Sequence, residues 1–202
     1  MPRVRLAVGL LALAGCTQSG TQLNVAPVPK YDAEAITQAI LAEFDKNKNG
    51  SIEPNEAQAC PALAGAFADI DTNRDRRLSA DELRKRVEAY AASATGSVEV
   101  GCVVRVDDQP LAGATVTFVP EACMGSSLKA AVGTTDPDGH CAEYKIDGKL
   151  YRGIAPGLYK IQVTRDGAAL PPRFNTQTVL GKEVFHDPHR AEESIELNLT
   201  SR

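Results

Sequence analysis

Two hydrophobic periods divide this chain of 202 residues. Between residues 31 and 92 apolar positions recur every three or four residues: Ile36, Ile40, Leu41 and Phe44, then Leu63, Phe67 and Ile70, then Leu83, Val87 and Tyr90. Each set falls on one face of a helix, so amphipathic helices sharing a core are predicted. Their ends are marked as well. Asp32 stands where an N-cap belongs, Pro54 suits the first turn of a further helix, Cys60-Pro61 interrupts that helix, and Ser79-x-x-Glu82 is a capping box. Residues 91–97 are small and polar, and 93–97 read as a linker between domains. Beyond it the period becomes two. Val98, Val100, Cys102, Val104 and Val106 fall at alternate positions, as do Ala114, Val116 and Phe118, and further strands are expected over 142–146, 158–164 and 193–199. Residues 134–139, Thr-Thr-Asp-Pro-Asp-Gly, form a strong turn signal. Short strands at this spacing without helices predict a β-sandwich. The fold class is therefore α+β and multidomain, with a helical unit over 31–92 and a β unit over 98–202.

The segments between the helices carry the chemistry. In 45–56, Asp45, Asn47 and Asn49 offer side-chain oxygens at alternate positions, Ser51 its carbonyl, Glu53 a direct or water-mediated contact and Glu56 two carboxylate oxygens. In 71–82, Asp71, Asn73, Asp75, the Arg77 carbonyl, Ser79 through water and Glu82 repeat the scheme. A tight loop turns every second side chain inward, and a hard cation the size of Ca2+ takes six to eight oxygens. Gly50 allows the sharp turn in the first loop. Arg76 occupies that place in the second, so the second loop must either hold a non-glycine residue at positive φ, at a cost on the order of 1 kcal/mol, or turn differently. Ile52 and Leu78, apolar at position eight, are placed to join the loops by a short β-bridge. Both loops resemble the EF-hand family, which implies Ca2+ as the cofactor. Their starts are 26 residues apart, so the connecting helices must be short. Dockerin modules also carry two calcium loops, but glutamate at both twelfth positions and an apolar helix ahead of each loop favour the EF-hand pair.

The N-terminus has a basic end at Arg3 and Arg5, an apolar stretch over 6–13, and Ala14-Gly15-Cys16. This describes a secretory signal over 1–15 whose core is too short to span a bilayer. Leu13-Ala14-Gly15-Cys16 resembles the lipobox of bacterial lipoproteins. That resemblance implies cleavage before Cys16 and acylation there, palmitate-type chains holding the protein on a cell membrane or outer membrane, facing periplasm or exterior; Thr17 in place of aspartate tilts the choice to the outer membrane. Residues 16–30 then read as a flexible tether. In the β unit, the runs 110–120, 133–139 and 155–161, extended by 170–175, resemble the carboxypeptidase regulatory-like, or transthyretin-like, domain of planctomycete-type lipoproteins. The family implies a seven-stranded Greek-key sandwich and no catalytic residues.

Cys60, Cys102, Cys123 and Cys141 are an even set in a chain read as exported, which suggests two disulfides in one of three pairings. The transthyretin-like topology, with its first and fourth strands adjacent, implies Cys102 with Cys141 and leaves Cys60 for Cys123. Net charge is −4, and about −6 without the first fifteen residues, so nucleic acid is not an expected partner. Trp is absent, which argues against gripping sugars or bases by stacking. His186-Asp187-Pro188-His189 reads as a solvated loop, because proline breaks any helix that would align the imidazoles. His140 beside Cys141 has no third group to orient it. No catalytic residues are assigned. The expectation is a lipid-anchored, calcium-binding envelope protein, not an enzyme, with a structural or binding role toward an envelope protein or polysaccharide. The alternative is an accessory or substrate-recognition module of an envelope enzyme.

Overall fold

The computed structural model describes residues 24–93, 96–167, 169–186 and 194–202. The signal segment, Cys16 and His189 lie outside these. Over the described residues the chain is mixed α+β, with four α-helices and several largely antiparallel sheets. Helix α1 (Ala33–Phe44) starts at Asp32, whose carboxylate accepts from the Ala35 N–H, and it buries Ile36, Ile40 and Phe44. Strand β1 (Ser51–Ile52) leads to the single turn α2 (Pro54–Ala57). Cys60 then caps α3 (Pro61–Ile70), with Pro61 in the first turn where a missing N–H costs nothing. Strand β2 (Leu78–Ser79) runs into α4 (Ala80–Ala92) through the expected capping box of Ser79 and Glu82.

The β unit holds β3 (Cys102–Val106), β4 (Gln109–Pro110), β5 (Thr115–Pro120), β6 (Ala131–Thr134), β7 (His140–Cys141), β8 (Glu143–Ile146), β9 (Lys149–Arg152), β10 (Gly157–Thr164), β11 (Gly181–Val184) and β12 (Ile195–Leu199). Six of them form one sheet in the order β11-β10-β5-β6-β8-β9. A second sheet runs β12-β3-β4, with β7 also on β3, and its β12–β3 pairing is parallel. Both sheets feed one apolar core: Val104, Leu197 and Leu199 from the smaller, Val116, Phe118, Ile161 and Val163 from the larger. Phe118 meets Tyr144 edge-on, and the Tyr144 hydroxyl crosses to donate to the Val100 carbonyl at 3.1 Å. This is compatible with a β-sandwich.

The helices are not separated from the sheets as a linker suggests. Helix α3 lies against β10 and β11, and the cores join through Ile40, Leu63 and Tyr90 on one side and Met124 and Leu158 on the other. The two periods and the linker between them suggest two units, each with its own core. A period reveals which face is buried but not against what. The contact is pinned by polar groups too: Arg86 donates twice to Glu183 at 2.7 Å, the Tyr90 hydroxyl donates to the same carboxylate, and the guanidinium lies 4.1 Å over the Phe185 ring. Nearby, the buried Glu121 carboxylate pairs with Lys160 at 3.0 Å.

Candidate metal centre

The two loops fold alike, hydrogen bond by hydrogen bond. In the first, the Asn49 N–H donates to Asp45 at 3.2 Å and Asn47 at 3.0 Å, and the Gly50 N–H donates to Asp45 at 2.8 Å. In the second, the Asp75 N–H donates to Asp71 at 3.1 Å and Asn73 at 2.8 Å, and the Arg76 N–H donates to Asp71 at 3.0 Å. Position five behaves the same way: the Ser51 N–H donates to Asn49, the Arg77 N–H to Asp75. Side chains at positions one, three and five thus turn inward and brace the loop with their oxygens. Arg76 sits at φ 66°, beside Gly50 at φ 80°, so the second loop takes the left-handed turn. Lys48 and Arg74 at position four share φ 60°, a feature the sequence pattern did not reveal.

The twelfth residues close the arrangement. Glu56 accepts from the N–H groups of Lys46 at 2.9 Å, Asn47 at 3.2 Å and Glu53 at 3.0 Å. Glu82 accepts from Thr72 at 3.0 Å, Asn73 at 3.3 Å and Ser79 at 3.0 Å. Each is only 6% exposed, and no Lys or Arg of the described residues pairs with either, so both negative charges are held by neutral donors: backbone N–H groups at Glu56, and at Glu82 the hydroxyls of Thr72 at 3.2 Å and Ser79 at 2.8 Å as well. The N–H of Glu53 foremost, with those of Asn47 and Lys46, holds the Glu56 carboxyl below the ordinary range, against burial and the nearby charge of Asp45. Burial works against Glu82, but its bonds from Ser79, Asn73 and Thr72 prevail and lower it too. Glu53 reaches inward to the amides of Asn47 at 3.1 Å and Asn49 at 3.3 Å.

Strands β1 and β2 join the loops, Ser51 opposite Ser79 and Ile52 opposite Leu78, and both apolar side chains are fully buried. Arg77 also reaches Glu53 across the pair at 3.5 Å. The oxygen-only donor set of carboxylate, amide, hydroxyl and carbonyl groups fits a hard cation of calcium size better than a soft one. Among the described residues no three carboxylate, imidazole or thiol groups cluster to hold a metal unaided. An ion here would therefore need the neutral oxygens of Asn47, Asn49 and Asn73 and the Ser51 and Arg77 carbonyls.

The cysteines lie as the strand order suggests but are not bridged. Cys102 faces Cys141 in register across β3 and β7, and all four cysteines are buried free thiols. Burial raises Cys60 to about 12, so it stays protonated and slow to exchange. His140 and Cys141 point to opposite faces of β7, the first exposed and the second buried, so no thiol–imidazole pair forms. A cleft of about 430 Å³ lined by residues that include Glu99, Glu143, Arg152 and Ser194 holds neither imidazole nor thiol. No described helix is long and apolar enough to cross a membrane. No family model, curated protein or solved structure matches the chain.

Proposed function

We propose that this chain is an exported, lipid-anchored calcium-binding protein of the cell envelope, with an EF-hand pair mounted on a transthyretin-like Greek-key sandwich and a structural or binding role rather than a catalytic one. The observation that carries the calcium reading is the duplicated loop: two segments of unrelated residues between the ligand positions adopt one hydrogen-bond scheme around two buried, unpaired glutamates. In such a loop Ca2+ replaces the neutral N–H groups as the counter-charge. Affinities of about 10⁻⁴ to 10⁻³ M suffice for a protein that meets calcium outside the cell. Occupancy then stabilises each site by about 1 kcal/mol when free calcium is several times the dissociation constant. The ions act as clamps on α1 to α4 and, through α3 and α4, on β10 and β11.

Calorimetry of the full chain with calcium tests this directly. Two sites in the stated range are expected, and no heat at about 5 mM, some five times the weak end of that range, would remove the proposal. The anchor is carried separately by Leu13-Ala14-Gly15-Cys16. Cys16→Ala should move the protein from membrane to soluble fractions, since residues 6–13 are too few to hold it.

A further inference from the structure

We propose that the hairpin of β8 and β9 is the face that rests on the anionic phospholipid headgroups to which Cys16 is anchored, an inference that rests on the lipid-anchor reading. Residues 24–31 form no helix or strand, yet they are fastened to the body. The backbone N–H and the side-chain amide of Asn24 both donate to the Leu150 carbonyl on β9, at 2.9 and 3.0 Å. Ala26 lies so close to Gly96 that a Cβ at 96 would meet its carbonyl oxygen at 1.8 Å. Further on, the Tyr31 hydroxyl donates to the Pro156 carbonyl at 2.6 Å. The expected tether is therefore fastened to the body from Asn24 onward. Seven residues lie between Cys16 and Asn24, and the eight steps they make, fully extended, reach at most about 28 Å.

That short leash starts at one outer strand of the six-stranded sheet. The other outer strand, β11, is five strand spacings away, about 24 Å. The anchor thus joins the body on the β9 side of the sheet, with β11 at the far edge. The chemistry of the edge agrees. Lys145, Lys149 and Arg152 are exposed, and none is ion-paired among the described residues. Val132, 37% exposed, stands in register with Lys145, which faces Leu150, on the outer face; Arg152 shares that face opposite Glu143, and Lys149, opposite Ile146, is exposed at the turn end of the hairpin. Glu143 and Asp147 share the hairpin, leaving it one charge positive in a chain of −4. At headgroup distance, within a Debye length of about 10 Å, that local sign decides the attraction.

The test uses the full acylated chain on vesicles containing phosphatidylglycerol. Lys149→Cys and Lys182→Cys variants are labelled with a bulky, membrane-impermeant maleimide; the four other thiols, at most 3% exposed, do not compete. Anchoring should slow labelling at 149 at least tenfold and at 182 less than twofold. Adding Lys145→Glu and Arg152→Glu should restore at least threefold of the rate at 149. Equal protection at both positions, or stronger protection at 182, overturns the orientation while leaving the anchor intact, and an unchanged rate in the charge-reversed chain overturns the headgroup contact. A mature chain whose mass shows no acyl group, and which stays soluble, overturns the anchor reading and this proposal with it.

Discussion

Loop 45–56 and loop 71–82 reach the same shape from different residues. The first has glycine at its sharp turn; the second has Arg76 at nearly the same φ. What the loops share is the aspartate at position one, whose carboxylate accepts from the N–H of position six in both, from Gly50 at 2.8 Å and Arg76 at 3.0 Å. That bond, with those at positions three and five, over-determines the turn, so Arg76 is held in a conformation it would not choose. Glycine lowers the strain of the loop, but the inward oxygens set its course. The loops also place their charge differently. Among the ligand positions between the shared first and twelfth residues, the first loop puts its carboxylate at Glu53, the second at Asp75.

The sharpest way to break the pair is to remove what joins it. Ile52 and Leu78 are fully buried against each other across β1 and β2. Truncating either to alanine should cost about 2–5 kcal/mol, seen as a lower denaturation midpoint, and should weaken calcium binding at both loops. A variant that disturbs only its own loop would show that the bridge does not couple them. Next comes the twelfth position. Glu56→Gln should remove most affinity from the first loop and Glu82→Gln from the second, each by tenfold or more in calorimetry, with the partner site changed less.

The parts of this comparison that were legible in sequence are those written in local chemistry. Asp32, Pro54, Pro61 and the Ser79–Glu82 box each act within a few residues, and each stands where the pattern puts it. The ligand alternation and the Ile52–Leu78 bridge were legible for the same reason. Strands β6, β9 and β11 were not. Gly181-Lys182-Glu183-Val184 has no alternation to read, because it is a strand by virtue of pairing with β10 and lying under α3. The Arg86–Glu183 pair was equally hidden, joining residues 97 apart that look like ordinary surface charges. Its removal offers a control lying outside the loops. Glu183→Ala should cost about 1–3 kcal/mol by leaving a part-buried guanidinium without its partner, while leaving both calcium affinities within a factor of a few if the loops fold on local bonds alone.

Smaller effects refine the comparison. Arg76→Gly should relieve the left-handed strain and stabilise the calcium-free protein by about 1 kcal/mol, whereas Gly50→Ala should cost a similar amount. Acid should treat the loops alike. Glu56 and Glu82 are both lowered in the folded state, so their contribution is complete above the ordinary glutamate value of about 4.3 and is lost only as pH falls through the lower folded values. Carboxyl carbon resonances followed by NMR in calcium-free protein should show both titrating below ordinary glutamate. Either one titrating above it would mean that its N–H bonds do not hold.

The smallest expected effect is the most discriminating between the loops. Arg77 reaches Glu53 at 3.5 Å, and their side chains are 56% and 27% exposed. A pair this open and this long contributes about 0–1 kcal/mol at low salt. Stability should therefore barely change in Arg77→Ala. Binding is another matter, because Glu53 is a ligand candidate of the first loop while Arg77 offers the second only its carbonyl, which alanine keeps. Freed from the guanidinium, Glu53 can turn wholly to a cation held with Asp45 and Glu56. Calcium affinity of the first loop should rise about twofold at low salt and less than that at 0.5 M, where the Debye length is only a few ångströms. An equal rise in both loops would instead report the general loss of one positive charge, and would show that the contact from Arg77 to Glu53 has no specific role.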